Sequence, residues 1–388
     1  MSVIDAVIRA LHMAAAMGWL ILWPLILGFA ISGAIQAVVS HSEMAKLLPD
    51  DRPRSLLKAA LLGAASSSCS YAAVAIARSM FRRGANLNAA MAFQFASTNL
   101  VLELGIVVWV MLGWRFTAAT WAGGIVMIVI LSILLRLFMR ESLVKEAKAQ
   151  AEMGLAGRME GHAEMDMAVT EGPLLHRLFS PKGFTAVSHY FVMDWASVWV
   201  DLVLGLLIAG ALAAWVPNSV WSAIFFTDHP VFAKVVGPLL GPLVAVASFV
   251  CSVGNVPLAA VLWNGGASFG GVIAFIFADL IILPILDIYR RYYGLKVAAL
   301  LFALFYAAMA LAGYVVELVF GAAGLVPTAR AAMVADQGFS WNYTTWLNLV
   351  FLGLAAMLVW RFMGTGGPAM LRQMAHAPTG EPTHHHHG

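Results

Sequence analysis

The feature that most constrains this chain is a short polar elbow that occurs twice inside otherwise apolar sequence. The two copies are Ser66-Ser67-Ser68-Cys69-Ser70 and Ser248-Phe249-Val250-Cys251-Ser252, and they hold the only two cysteines of the chain. Displacing the sequence by 182 positions aligns them without a gap, together with Leu61 on Leu243, Val74 on Val256, Gly84 on Gly266, Ala92-Phe93 on Ala274-Phe275 and Leu104 on Leu286. A displacement of 177 aligns an earlier segment, with Gly28 on Gly205, Ile31 on Ile208 and Gly33 on Gly210. This is the self-similarity of a diverged internal duplication. Two apolar halves interrupted at the same place are the pattern of a secondary transporter built from repeats.

Composition sets the solvent. Hydrophobic residues are 61% and charged residues 11% of the chain, with mean hydropathy +0.84. Soluble domains are about 25% charged. Several runs exceed the roughly 18 apolar residues that a bilayer crossing needs, and in lipid each segment must satisfy its own backbone. The fold class expected is therefore all-α: a polytopic integral membrane helical bundle of two inverted repeats, each with a re-entrant hairpin tipped by the Cys-Ser elbow. Its partners are the lipid bilayer, a small-molecule or metalloid substrate and protons, in a bacterial inner membrane; a homodimer is a possible assembly. The net charge of +3 gives no reason to expect nucleic acid. Two cysteines make no disulfide framework, no cleavable signal peptide is evident, and His384 to His387 read as a purification tag.

Taken in order, residues 2–15 read as an interfacial stretch and 17–39 as the first span. The polar segment 41–58 leads to an apolar stretch broken at the first elbow. Residues 86–112 form a span broken near Ala96-Ser97-Thr98-Asn99, and 117–138 return. The first transmembrane repeat is thus 1–140 and the polar stretch 141–192 a flexible cytoplasmic linker. The second repeat, 193–325, holds the second elbow and a span broken near Ala278-Asp279 and Pro284. Residues 326–388 supply one more helix and a disordered tail.

Charge orients these segments. Arg52, Arg54 and Lys58 precede the first elbow, and Arg78, Arg82 and Arg83 follow it. Basic residues mark the cytoplasmic side. If both flanks are cytoplasmic, the elbow dips in and returns, each repeat crosses three times, and Arg290, Arg291 and Lys296 also fall inside.

Cys69 and Cys251 are the first candidates for chemistry, because thiolate selects soft, thiophilic species; a buried free cysteine can equally be a small hydrophobe. Ser68, Ser70, Ser252 and Asn255 offer polar groups where helices break, and half-helix ends bind polar solutes in transporters. Gln94, Ser97 and Asn99 lie in the following broken span. These nine residues form the expected substrate site. Intramembrane carboxylates are costly and are functional candidates by default, and a carboxyl in an apolar site can trade protons near neutral pH. Asp279, Glu103 and Asp201 are therefore expected to couple transport to protons. Asp287 reads as an interfacial partner of Arg290 and Arg291. The methionines and histidines of the linker are too irregular for a metal site. Without a Walker loop, a dinucleotide turn, a Cys-x-x-Cys pair or any cofactor signature, the chain reads as a transporter and not an enzyme, with no cofactor.

Two blocks carry a family resemblance. Cys69-Ser70-Tyr71-Ala72-Ala73-Val74, Phe81-Arg82-Arg83-Gly84-Ala85 and Ala89 to Asn99 form the first; Cys251 to Pro257, Gly265-Gly266-Ala267 and Ala274-Phe275 form the second. With these blocks the chain resembles the ArsP-type permeases, which include exporters of trivalent organoarsenicals. The likeness covers most of residues 17–320. It implies a permease that moves a small solute outward against proton entry, with arsenical resistance as a phenotype. Ser68 stands where arsenical-active members often carry Pro, and Tyr71 where they carry a second Cys. The residues alone leave a second reading open, a carrier of a small anion or polar metabolite bound by serine hydroxyls and half-helix ends.

Overall fold

A computed structural model describes residues 3–38, 46–66, 69–152, 167–169, 173–248, 252–330, 332–333 and 341–375. Among them the chain is helical, with no strand. The first half runs α1 (Val3–Gln36), α2 (Pro53–Ser66), α3 (Ser70–Arg82), α4 (Leu87–Asn99), α5 (Leu102–Leu112) and α6 (Trp114–Phe138). After α7 (Glu141–Glu152) and α8 (Leu174–Phe179), the order returns: α9 (Pro181–Trp215), a short α10 (Asn218–Phe225), α11 (Pro230–Ser248), α12 (Ser252–Asn264), α13 (Phe269–Ile276) with a 3-10 turn over Phe277–Ile281, α14 (Leu283–Tyr293) and α15 (Leu295–Ala322). Helices α16 (Tyr343–Gly364) and α17 (Gly367–Ala375) close the chain. Among the described residues six helices are long and apolar enough to cross a membrane, and up to eight segments if each bent pair, α4 with α5 (40°) and α13 with α14 (44°), is one span. The protein is a multi-pass membrane protein.

Local chemistry sets the breaks. Cys69 caps α3, its Sγ accepting from Ala72 N at 3.4 Å. Asn86 caps α4 and Ser268 caps α13 through their side chains. Gly84 (φ 104°) and Gly266 (φ 110°) end α3 and α12 in the left-handed region, which costs glycine nothing. Helices α4 and α5 part at Leu100-Val101, one residue beyond the expected break, and the second break falls at the 3-10 turn and Ile282, as expected.

Packing fixes directions. Gly33 of α1 lies against Val187 and Phe191 of α9, while Gly210 of α9 lies against Ala10 and Ala14 of α1. Residue numbers fall on one helix as they rise on the other, so α1 and α9 are antiparallel; Trp215 Nε1 donating to Ala6 O closes the far end at 2.9 Å. The start of α2 lies beside the end of α3, since Asn86 N, just after α3, donates to Leu48 O, just before α2, at 2.9 Å. Arg136, at the end of α6, pairs with Asp51 at the same place at 2.6 Å. In the second half, Trp221 and Thr227, before α11, touch Gly265 and Gly266, after α12.

Each hairpin exit is covered by the segment that follows its half. From α7, Lys148 Nζ donates to Phe81 O and Arg82 O at the end of α3, and Gln150 Nε2 donates to Arg291 O at the end of α14. Opposite, Arg330 Nη1 donates to Trp263 O and Ala267 O at the end of α12, and Met333 N donates to Met111 O at the end of α5.

Two expectations change. Residues 3–36 form one helix and not an interfacial stretch plus a span, because Ala10 and Ala14 pack on α9 and extend the helix beyond the span. The polar stretch 141–192 holds helix α7, whose Ala147 and Ala151 are buried, and residues 181–192 are the first turns of α9. Much of the Met/His-containing linker, including Met159 and His162, and the His384–His387 tag lie outside the described residues.

Candidate functional site

The inner ends of α3, α5 and α12 converge. A narrow cavity there is lined by Cys69, Thr98, Val101, Glu103, Ser252 and Val253, closed by Leu25 and Phe29 of α1 and Val198 and Leu202 of α9. Residues of both elbows therefore share one space. Cys251 and Ser68 lie outside the described residues. The space that remains is about 10 Å³, roughly what one water needs, so this conformation is closed around the cavity.

Cys69 is buried and free. Its Sγ lies 3.2 Å from Ser197 Oγ on α9 and accepts from Ala72 N. Ser197 Oγ gives its one proton to Asp194 O at 2.7 Å, so the Cys69 S–H completes the pair by donating to Ser197 Oγ. Glu103 stands in the first turn of α5 and is buried against Gly28, where any side chain would collide with it. An acidic group at a helix N-terminus is favoured by the helix dipole.

A second polar cluster lies at the break of the second half. Asp279, fully buried in the 3-10 turn, accepts from Ser70 Oγ on α3 at 2.6 Å. Thr98 and Asn99, at the inner end of α4, stand beside the same carboxyl group. Its Oδ1, Asn99 Oδ1, Gln94 Oε1 and both amide atoms of Asn255 are buried without a hydrogen-bond partner among the described residues. Buried polar atoms in native proteins almost always have a partner, in protein, water or ligand. Their concentration at the breaks marks this region as a place that receives something else.

The expected residues are placed as follows. Cys69, Glu103 and Ser252 line the cavity, and Ser70, Asn99 and Asp279 form the adjoining cluster. Gln94 lies deeper, its Nε2 donating to Tyr289 Oη, and Ser97 Oγ turns back to Gln94 O at 2.9 Å. Asn255 is buried on α12. Asp201 is half-buried on α9 and makes no hydrogen bond or ion pair among the described residues. Asp287 pairs with Arg290 and Arg291 at 2.7 Å, as expected.

Asp194 was not among the expected residues. It is buried on α9, its Oδ2 lies 3.3 Å from Ser32 Oγ, and its backbone carbonyl accepts from Ser197, which stands beside Cys69 Sγ. It falls at the start of the second apolar run, where sequence reads as the edge of the linker. The apolar residues Tyr190 to Val192 before it were the available signal that the helix begins earlier.

The model of a family described as "Predicted permease" matches residues 7–318. A Mycobacterium tuberculosis (strain ATCC 25618 / H37Rv) protein named "Putative permease Rv2963" is 58% identical over 348 residues, covering 89% of this chain and 86% of the relative. No solved structure matches.

Proposed function

This chain belongs to that predicted-permease family, a membrane transporter, and from that premise we propose that it is a secondary active exporter, coupled to protons, of a small thiophilic solute such as a trivalent organoarsenical. The observation that carries the reading is the cavity shared by Cys69 of the first elbow and Ser252 of the second, with Glu103 on its wall. Its soft ligand is Cys69, and the reading gives Cys251 of the second elbow the same role; Ser252 supplies a polar contact on the wall, Ser70 and Asn99 in the adjoining cluster, and Ser68, Asn255, Ser97 and Gln94 are assigned to the solute as the sequence suggests. Asp279 and Glu103 carry the coupling proton, and Asp201 has the weakest support of the three.

The working architecture is a pair of inverted repeats with re-entrant hairpins. The antiparallel α1 and α9 support it, as does the entry of α2 beside the exit of α3. Basic residues support the orientation. Arg52, Arg54, Arg82, Arg83, Arg136, Lys148, Arg290 and Arg291 share the end covered by α7, and few stand at the end of Arg330. That bias makes the α7 end cytoplasmic, in a bacterial inner membrane. Because the cavity is closed, loading and release require the hairpins to separate alternately at the two ends, by rocking of one repeat against the other.

A second reading has its own support. The N-terminal ends of α3, α5 and α12 all line the cavity, and helix N-termini attract anions. One experiment divides the two. Wild type, Cys69→Ser, Cys251→Ser and Asp279→Asn are expressed in a strain lacking its own exporters. Resistance to and efflux of trivalent organoarsenicals are measured beside small anions. Loss of arsenical efflux in the cysteine variants with anion flux absent is expected. Arsenical efflux unchanged in the double cysteine variant would discard the thiophilic reading, and anion flux that survives it would promote the second.

A further inference from the structure

Helices α3 and α14 both begin beside Asp279 and both end at the α7 end of the bundle. Ser70 opens α3 on the Asp279 carboxyl, and Leu283 opens α14 just after the 3-10 turn. The two pack together, with α4 running antiparallel alongside α3. At 1.5 Å per residue, Gln94 lies about 7 Å from the inner end of α4, Tyr289 about 9 Å along α14, Arg78 about 12 Å along α3 and Tyr293 about 15 Å along α14. Between these three helices the polar groups fall in file.

The contacts are specific. Thr98 and Gln94 are one turn apart on α4, so they share a face; Thr98 stands beside Asp279, and Gln94 Nε2 donates to Tyr289 Oη. That bond leaves the Tyr289 hydroxyl proton available to donate. The Tyr289 ring stacks on Tyr293 at 6.3 Å and 28°. Tyr293 Oη is buried with no hydrogen-bond partner among the described residues, as are Gln94 Oε1 and Asp279 Oδ1. On α3, at a level between Tyr289 and Tyr293, the buried Arg78 lies 4.2 Å over the Tyr292 ring and donates through Nη2 to Ala151 O of α7 at 2.8 Å. One turn further, Ser79, Arg82, Arg83 and Glu152 line an open cleft.

We propose that this file, Asp279, Gln94, Tyr289 and Tyr293, with water satisfying its unpartnered atoms, is the route by which the coupling proton passes between Asp279 and the cleft under α7. The inference rests on the proton-coupled reading given above. Each tyrosine hydroxyl accepts a proton on its oxygen while releasing its own to the next water, so no tyrosine ionises and one proton leaves the Asp279 carboxyl for each that reaches the cleft. Arg78 sets a fixed positive charge beside the outer half of the file, which favours release of the proton into the cleft over its retention beside Tyr293. The other charged groups on elements packed against the 3-10 turn face elsewhere: Glu317 accepts from Gly270 N and lies 4.0 Å from Lys234, Asp287 holds Arg290 and Arg291, and Lys296 is exposed at the start of α15. The solute cavity, on the far side of Ser70 and Thr98, contains none of the tyrosines. Solute and proton thus meet at the elbow and part from it by different paths.

The test needs no solute. The full-length protein in liposomes is moved from H₂O to D₂O at acidic pH, and the infrared C=O band of protonated Asp279, identified by its loss in Asp279→Asn, is followed in time. Tyr289→Phe and Tyr293→Phe are expected to slow its isotope exchange about tenfold or more, as loss of a positioned proton-transfer group does. Gln94→Met, which frees Tyr289 from its donor, is expected to slow it too. Tyr306→Phe, whose hydroxyl donates to Leu239 O away from the file, is expected to leave it unchanged. If Asp279→Asn removes a band whose exchange none of the three file variants slows, the route is overturned while the coupling role of Asp279 stands. If Asp279→Asn removes no carboxyl band at any pH, the coupling reading fails and the route fails with it.

Discussion

The Ser70–Asp279 hydrogen bond is the most exposed joint of this account, because it ties the first elbow directly to the break of the second half. Both residues are fully buried, the bond is 2.6 Å long, and Asp279 Oδ1 has no hydrogen-bond partner among the described residues. Hydrogen bonds between membrane helices average only about 0.6 kcal/mol, reaching about 1.7 at most. A short bond to a buried carboxyl group belongs near the upper end, since removing Ser70 takes away the closest donor to Asp279 Oδ2. Ser70→Ala is therefore expected to destabilise the protein by about 1.5 kcal/mol. Asp279→Leu repeats the branched shape of the carboxylate without its polar atoms and leaves only one hydroxyl to find a new acceptor, for about 1 kcal/mol. In the double variant neither orphan remains. Its cost is expected to fall to about 1 kcal/mol, well short of the sum, giving a coupling of about 1.5 kcal/mol. Denaturation of the four proteins in mixed micelles, followed by circular dichroism, measures the cycle. Costs that add within about 0.5 kcal/mol would mean that the two side chains do not interact, and the joined elbow would have to be abandoned.

Other outcomes follow from the same geometry. Cys69→Ser keeps a good helix N-cap, so its stability is expected to match wild type within about 0.5 kcal/mol, while binding of a trivalent arsenical, read by tryptophan fluorescence, is lost; unchanged binding would remove the thiol from the site. Gly63→Val forces a side chain into Phe93, Ala96 and Ser97 of α4 and is expected to cost about 1–3 kcal/mol in the same micelle assay, together with transport; a neutral effect would place α2 elsewhere. Single cysteines at Gln150 and Gly324, in a chain with Cys69 and Cys251 replaced by serine, are expected to react with an impermeant maleimide from opposite sides of the membrane. Labelling from one side would refute inverted repeats. Lys148→Ala with Gln150→Ala frees the carbonyls at the ends of α3 and α14 and is expected to raise the cytoplasmic accessibility of a cysteine at position 79; unchanged labelling would show that α7 does not cover that end.

The sequence by itself determined the solvent, the helical class and the two places where helices break. Apolar content and the cost of unpaired backbone in lipid leave little choice of class, and the elbows announce themselves by polarity, small residues and their recurrence. It also named most of the residues that meet, because a carboxylate or a serine run inside an apolar segment is conspicuous from one dimension. What tertiary structure alone decided is which of these touch. Ser70 and Asp279 are 209 positions apart, and nothing local to either selects the other; the packing of α3 on α14 does. Asp194 escaped notice because helix length depends on what the helix packs against, and α9 is extended by its contact with α1. In the sequence Arg78 is one of the basic residues that follow the first elbow, and nothing local to Tyr289 or Tyr293 singles them out. Burial against neighbouring helices, a property of the assembled bundle and not of any segment, turns them into a polar file between Asp279 and the cleft under α7.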